Sequence, residues 1–478
     1  METTRLATGL LFPSTTADAW GTRLGPSISR VNHLLREVLP ALGLDDRFAA
    51  DRLALAGGNA LPSSLPVNTL ACGSVAAAAL AGLAATGGER VLVDPLQVAA
   101  AFRSDQLQTI DGRAPESFAP LSGFFRAADG WVRTHANYPH HRERLLHALH
   151  LPDGTTRDRA AATIAALAAE EVEDRLTAAG GIAVRVRDHH EWFDGPQAQA
   201  VQGHPLLAVD SVADAPTLPM PRRPRVLDLT RVVAGPVASR TLAHLGCDVL
   251  RVDPPDLPEI EAQHVDTGAG KRSTLLDLHD PHARDTLHGL LETADVLLTG
   301  YRPGALTHFG LEPELLAARH PTLVHASLTA WTPSGPWGGR RGFDSIVQAA
   351  TGIARLESPD GDRPGALPAQ VLDHATGYLL AAGVLAALRQ RGETGGTWRV
   401  EAHLARTAHW LLRTDALDGR AAPLTDPTAW LVETATDSGV VVQPRPAFRL
   451  DDRPQRFAWV GRRWGADEPE WLAESDPG

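Results

Sequence analysis

From residue 226 onward, short apolar runs alternate with longer segments of helical period. Val226-Leu-Asp-Leu229 has the length of a buried strand and runs into Ala234-Gly235-Pro236. Val237 to Leu245 then carries apolar residues at helical spacing and is closed by Gly246, which accepts the left-handed turn that ends helices. The pattern predicts further strands at 248–252, 295–299 and 323–328, and further helices at 281–293 and 312–319. Strand and helix in alternation argue for an α/β domain whose sheet is mostly parallel, of Rossmann type.

The first half is patterned differently. Ala76 to Ala85 reads as a packed helix of small residues, and Val91-Leu-Val-Asp94 as a strand. Phe124 to Arg133 reads as a hairpin turning at Asp129-Gly130. Helices at 139–149, 157–169 and 172–179 and a strand at 182–186 complete a smaller α+β unit. Between the halves, Ala213 to Arg225 carries four prolines. Proline removes donors and stiffens the chain, so this stretch reads as a linker. The expected division is a truncated segment 1–118, a small α+β domain 119–212, the linker 213–225, a Rossmann-like domain 226–445 and a tail 446–478. A faint repeat sets Leu70-Ala-Cys-Gly-Ser, an alanine-rich helix and Thr86-Gly-Gly against Leu372-Asp-His-Ala-Thr, a second alanine-rich helix and Thr394-Gly-Gly. That register places Ala71 opposite Asp373 and Cys72 opposite His374, so the first copy lacks a carboxylate and one active site per chain is expected.

Charge and composition narrow the chemistry. A net charge of −12 weighs against nucleic acid and anionic membrane as partners. The two cysteines, Cys72 and Cys247, are far apart and form neither a disulfide framework nor a metal-binding spacing, which fits a reducing cytoplasm. At the N-terminus Glu2 offsets Arg5, so no basic leader is read there, and the apolar run 75–85 is too short to cross a bilayer. His135, His140, His141, His189 and His190 fit no closed ligand set, and no metal is expected. The turn Leu229-Thr-Arg-Val-Val-Ala-Gly-Pro236 is not GxGxxG, which argues against NAD, although its N–H groups can face an anion. Lys271, in Gly-Ala-Gly-Lys-Arg-Ser, is the only lysine in the chain and draws attention for that reason.

Motif order adds a resemblance. Val226 to Asp253, Gly270-Lys-Arg-Ser-Thr-Leu-Leu-Asp-Leu278, Asp295 to Gly304, His308-Phe-Gly-Leu311, Ser334-Gly-Pro336 and Gly342-Phe-Asp344 follow one another as in the family III CoA-transferases. That family includes formyl-CoA and carnitine CoA-transferases and α-methylacyl-CoA racemase. Phe125-Arg-Ala-Ala-Asp-Gly-Trp131 resembles a family motif that belongs after the nucleotide-binding region, yet here it comes first. The chain therefore resembles a fused or rearranged member.

The resemblance implies an acyl-CoA:carboxylate CoA-transferase in which Asp373 attacks the thioester. At the start of an apolar helix Asp373 also fits an N-cap, and the helix dipole would keep it ionised. Coenzyme A contacts are implied for Lys271, Arg272, His279, Tyr301, Arg302, His308 and Arg341. The implied substrates are an acyl-CoA and a carboxylic acid, without metal or NAD. Family members form interlocked dimers, so the chain is expected to be a pseudo-dimer in itself or a homodimer.

Two positions depart from formyl-CoA transferase: Val233 replaces a glutamine, and Glu357 to Pro364 replaces a glycine-rich lid. A racemase needs two acid/base groups flanking Cα. Phe343 stands where the family's racemase has its histidine, which leaves His374 as the substitute. A non-catalytic acyl-CoA-binding protein is the third reading, and the presence of Asp373 argues against it.

Overall fold

The computed structural model describes residues 27–115, 118–418, 421–451 and 453–473. The N-terminal stretch read above as lacking a basic leader lies outside the described residues.

Seven strands form the main sheet, in the order Arg272–Leu275, Asp248–Asp253, Arg225–Leu229, Val296–Thr299, Val324–Thr329, Thr397–His403 and Ala208–Ala213. The first six are parallel; the last pairs antiparallel with Thr397–His403. The strand expectations held to within a residue or so, since each central strand is a short apolar run that ends at a turn signal. Strand order reverses between Arg225–Leu229 and Val296–Thr299. Ligands of open α/β sheets bind beyond the carboxyl ends of the strands at such a reversal. Leu229 lies beside Thr299 in register, which brings the turns Thr230–Gly235 and Gly300–Arg302 together there.

The small unit has its own core. Gly123–Arg126 and Trp131–Thr134 form the expected hairpin, and Ala183–Arg185 joins it as a third strand. Helices Pro139–Ala148, Arg157–Ala165 and Ala169–Ala178 cover it, with Val132, Leu145, Ile164, Val172 and Leu176 buried between them. The second helix ends four residues earlier than its expected end at Ala169, and the third begins there.

The segment before it has no core of its own. Its long helix, Val67–Thr86, packs directly on Val371–Thr394, and both share one apolar cluster with the sheet. These two helices are long and apolar enough to cross a membrane, yet they are buried in the protein. Each begins on a residue with nearly the same backbone angles, Pro66 (φ −76°, ψ 57°) and Gln370 (φ −73°, ψ 63°). Aligned on those caps, Val67 meets Val371, Ala71 meets Ala375 and Gly73 meets Gly377. Thr69, not Ala71, is then the counterpart of Asp373, which corrects the register read from sequence by two residues. The Thr69 hydroxyl donates to Asp418 (2.7 Å), which also accepts the Asn68 and Thr69 N–H groups and closes that helix end. Cys72 is buried in the same helix, and burial pushes its thiol far above the ordinary range, which disfavours the reactive thiolate.

Residues 431–473 lie back across the rest of the chain. Leu450 pairs with Val91, and Val441 with Ile110. Trp459 donates to the Lys271 carbonyl (2.8 Å) and Trp464 to Asp253 (3.0 Å), so the tail binds the outer edge of the main sheet.

Helix Val371–Thr394 also crosses Ala234–His244 at very close range. A Cβ on Gly377 would lie 2.4 Å from the Ala234 carbonyl oxygen and 3.0 Å from the Val237 Cβ. Backbone cannot yield there as a side-chain tip can. Gly377→Ala is expected to cost about 1–3 kcal/mol, read as a lower urea midpoint with an unchanged slope.

Candidate active site

Two cavities meet at Asp373. The larger, of about 280 Å³, opens at the strand-order reversal between the turns Arg231–Gly235 and Gly300–Arg302. The smaller, of about 100 Å³, lies on the other side, and its wall includes Asp105, Gln108, His135, Asp344 and Asp373. Tyr138, Val232, Val233 and Phe343 line both. The site is thus assembled from both halves of the chain.

Arginine dominates the larger cavity. Arg231, Arg302, Arg340 and Arg341 line it. Arg231 lies 3.6 Å from Glu259, and Arg340 bonds Glu173 (2.9 Å), so those charges are largely matched. Arg302 and Arg341 have no carboxylate partner among the described residues and bond only the carbonyls of Gly339 (3.1 Å) and Gly180 (3.3 Å). Burial, then the charges of Arg302 and Arg144, lower the Arg341 guanidinium to about 10, as expected of cations crowded without an anion. Unpaired guanidinium groups in a cleft form a site for phosphate or carboxylate. Tyr138, from the first half, bonds Glu259 of the second, and Arg231 lies 5.3 Å above its ring. That contact pins the small domain to the mouth of the cavity. Between the cavities, Val232 adopts φ +71°, a conformation a β-branched residue rarely takes. Such strain collects at functional sites.

Asp373 lies in the first turn of Val371–Thr394 and is 6% exposed. It is not the helix cap expected from sequence. Asp344 takes that role: its carboxylate accepts the Asp373 N–H (3.0 Å) and is steadied by the Gln348 side-chain amide. Nor does the helix dipole keep Asp373 ionised. Burial, then the neighbouring charges of Asp344 and Asp105, hold its carboxyl well above the usual range. Burial also raises Asp344 to about 6. Burial and then the Asp266 charge raise Asp105 to about 6. Three buried carboxyls in one place cannot all ionise cheaply, and their titrations interact.

Of the residues expected to meet coenzyme A, Tyr301, Arg302 and Arg341 line the larger cavity. Lys271 does not. It is buried with Asp228 (3.1 Å) and Ser239 (2.8 Å), and burial lowers its ammonium to about 8. Asp228 is held low: burial opposes its charge, but Lys271 and Arg251 outweigh that, so the pair is ionic and structural. Arg272 is likewise buried, against Asp248 (2.9 Å) and the Glu470 carbonyl. His279 and His308 form an exposed stacked pair, 6.0 Å between rings, that lines neither cavity. His374 faces Phe102 in the core (5.0 Å) and is lowered to about 3 by burial and then Arg240, so it is neutral and turned away from the cavities. Asp105 went unrecognised in the sequence, and Asp344 was read there only as part of the motif Gly342-Phe-Asp344. His135 was weighed only as a metal ligand; it stacks on Phe343 (3.9 Å) in the wall beside Asp373. Asp188, His189 and His190 do lie close enough to share a metal ion, but Asp188 and His190 are exposed and none of the three lines either cavity.

The carboxyl group gives a pH dependence with a definite sign. A carboxyl whose pKa rises on folding keeps its proton after the unfolded chain has lost it. Stability is then full below the ordinary carboxylate range and falls as pH rises toward the folded value. Asp373→Asn removes one of the three groups. Its Tm is expected to exceed that of the parent protein by about 2–4 °C at pH 8, with the gap closing toward pH 4, as read by calorimetry.

The sequence profile of CoA-transferase family III matches residues 65–221 and again 224–456. A probable fatty acyl-CoA transferase of Mycobacterium tuberculosis is 34% identical over 247 residues, 48% of this chain and 62% of that protein. A formyl-CoA:oxalate CoA-transferase of Rhodopseudomonas palustris is 32% identical over 190 residues, 37% of this chain and 44% of that protein. A succinyl-CoA:glutarate CoA-transferase of Mus musculus is 32% identical over 186 residues, 36% and 42% of the two chains. A crystal structure of a Mycobacterium tuberculosis protein, 34% identical, aligns over 40% of this chain and 56% of its own with a TM-score of 0.37. The aligned part therefore spans 62% or less of each of these relatives. With two matches that together cover most of its length, the chain belongs to CoA-transferase family III.

Proposed function

We propose that the protein is an acyl-CoA:carboxylate CoA-transferase with Asp373 as its nucleophile. The observation that carries this reading is the position of Asp373, a buried carboxyl at the junction of an arginine-lined cavity and a second, smaller one. The names of its relatives, which act on acyl-CoA and carboxylic acids, support the same reaction class. Arg302 and Arg341 take the phosphates of coenzyme A, with Tyr301 beside them, and the thioester reaches Asp373 from that side.

The reaction then exchanges acyl bonds without net oxidation or hydrolysis. Asp373 first gives up its proton to solvent; its carboxylate oxygen then attacks the thioester carbon, the C–S bond breaks, and CoA leaves as a thiolate, giving an acyl-aspartyl anhydride. The thiolate attacks the aspartyl carbonyl and expels the first acid, leaving an aspartyl-CoA thioester. An acceptor carboxylate attacks that thioester, the thiolate leaves and returns to the acceptor's carbonyl, and Asp373 is regenerated.

A racemase would need a second acid/base group. His374, the candidate by sequence, lies in the core against Phe102. A mere acyl-CoA-binding protein would need no buried carboxylate at the cavity junction.

Asp373→Ala is expected to abolish transfer and leave CoA binding within a few fold, and hydroxylamine should trap a peptide containing Asp373 from the parent protein only. Full activity in Asp373→Ala would sink the mechanism. Arg302→Ala and Arg341→Ala should raise KM for acyl-CoA more than they lower kcat, since phosphate contacts serve ground and transition states alike. Steady-state kinetics with a panel of acyl-CoAs and acids, read by mass spectrometry, checks both.

A further inference from the structure

The wall of the smaller cavity is built partly of residues with polar atoms that no group among the described residues satisfies. Gln108 is 1% exposed; its amide nitrogen donates to the Ala262 carbonyl (2.8 Å), which fixes the orientation, and its Oε1 has no partner. Asp105 Oδ1, in the same wall, also has none. A buried acceptor left unpaired is costly, so a donor supplied from outside has a strong claim on both.

Charge points the same way. Asp105, Asp266, Asp344 and Asp373 all line this cavity, while no lysine or arginine among the described residues does. Asp266 is matched by Arg240 (2.8 Å). Asp344 has Arg133 nearby, although that guanidinium is stacked against Phe118 and Phe124. Asp105 and Asp373 have no cationic partner among the described residues. An acceptor acid or acyl chain ending in a second carboxylate would be repelled here. A purely apolar end would leave Gln108 and Asp105 unsatisfied. A quaternary ammonium would answer the charge but bring no N–H donors.

We infer that the smaller cavity is the subsite for the acyl chain, and that it selects a short chain ending in a primary ammonium, an ω-amino acyl group, held by Asp105 and Gln108. This rests on the transferase reading above for the placement of the thioester at Asp373. The small size of the cavity, about 100 Å³, is what limits the chain to a short one. The ammonium would also stand near the three carboxyls and favour the ionised form of Asp373, so the correct substrate would help prepare its own nucleophile.

The test compares three thioesters of similar length: β-alanyl-CoA, butyryl-CoA, which replaces the ammonium by a methyl group, and succinyl-CoA. Calorimetry on the full-length Asp373→Asn variant, which cannot turn them over, reads binding alone. β-Alanyl-CoA is expected to bind at least tenfold more tightly than butyryl-CoA and more tightly still than succinyl-CoA. Adding Asp105→Asn should reduce the first preference to about twofold, and Gln108→Leu, which removes an acceptor without changing charge, should reduce it by a smaller factor. Equal or weaker binding of β-alanyl-CoA overturns the subsite. Exchange of isotopically labelled CoA into each thioester by the parent protein separates this inference from the reaction. Exchange as fast with butyryl-CoA as with β-alanyl-CoA overturns the subsite and leaves the transferase standing. The expected binding order with no exchange of any thioester overturns the transferase and leaves the subsite.

Discussion

Helix Val67–Thr86 and helix Val371–Thr394 have almost no polar face to turn toward water, so each must be enclosed along most of its length. Val67 through Leu83 in the first and Val371 through Leu388 in the second are buried. A helix that is apolar all round belongs inside a protein. Alanine and glycine let the two approach closely, and the rest of the architecture follows from covering them. The main sheet lies under one side, Ala234–His244 crosses at Gly377, and Leu34, Leu39 and Leu42 of the first segment close the remaining side. The first segment is therefore part of the same core as the main sheet, whatever its place in the chain.

The same enclosure sets the chemistry of the carboxyls. Asp373 is carried into the interior on a helix that cannot leave it, and Asp344 arrives with it because the helix start needs an acceptor for its free N–H groups. Asp105 comes from the far side of the chain and adds a third negative group. Packing thus produces a site in which ionisation is costly until something else enters. The arginine-lined cavity has the opposite imbalance. The two excesses of charge, one on each side of Asp373, would give the acyl-CoA proposed above a direction: anionic end toward Arg302 and Arg341, thioester at the junction.

Much of this was legible in the chain. The parallel sheet could be read because its strands are short apolar runs punctuated by glycine and proline, and the hairpin because Asp129-Gly130 marks it. Asp373, Arg302 and Arg341 were singled out through motif order, and all three line the larger cavity. The remainder depended on distance in sequence. Asp344 caps a helix that begins 27 residues later, and Asp105 lies in the other half of the chain; neither relation leaves a local pattern. The repeat was detected but misregistered, since alanine-rich helices align almost equally well at several offsets and only their caps fix the match. Lys271 was conspicuous for being the sole lysine, but rarity is not exposure: it neutralises Asp228 beneath the sheet.

Joining both family segments in one chain has a consequence for how the site can change. When a protein is built from two identical subunits, every substitution is printed twice, and a residue good for one wall of a pocket must be tolerated at its symmetry mate. Here Thr69 and Asp373 occupy equivalent places in paired helices, yet each is encoded once. The first helix start could be sealed by Asp418 while the second stayed open to a reacting group. Asp105, Gln108 and His135 can likewise be tuned to a ligand with no matching alteration elsewhere. With both segments in one chain, the candidate site is free of symmetry, and its lopsided distribution of charge is a form that a strictly twofold assembly can reach only by compromise.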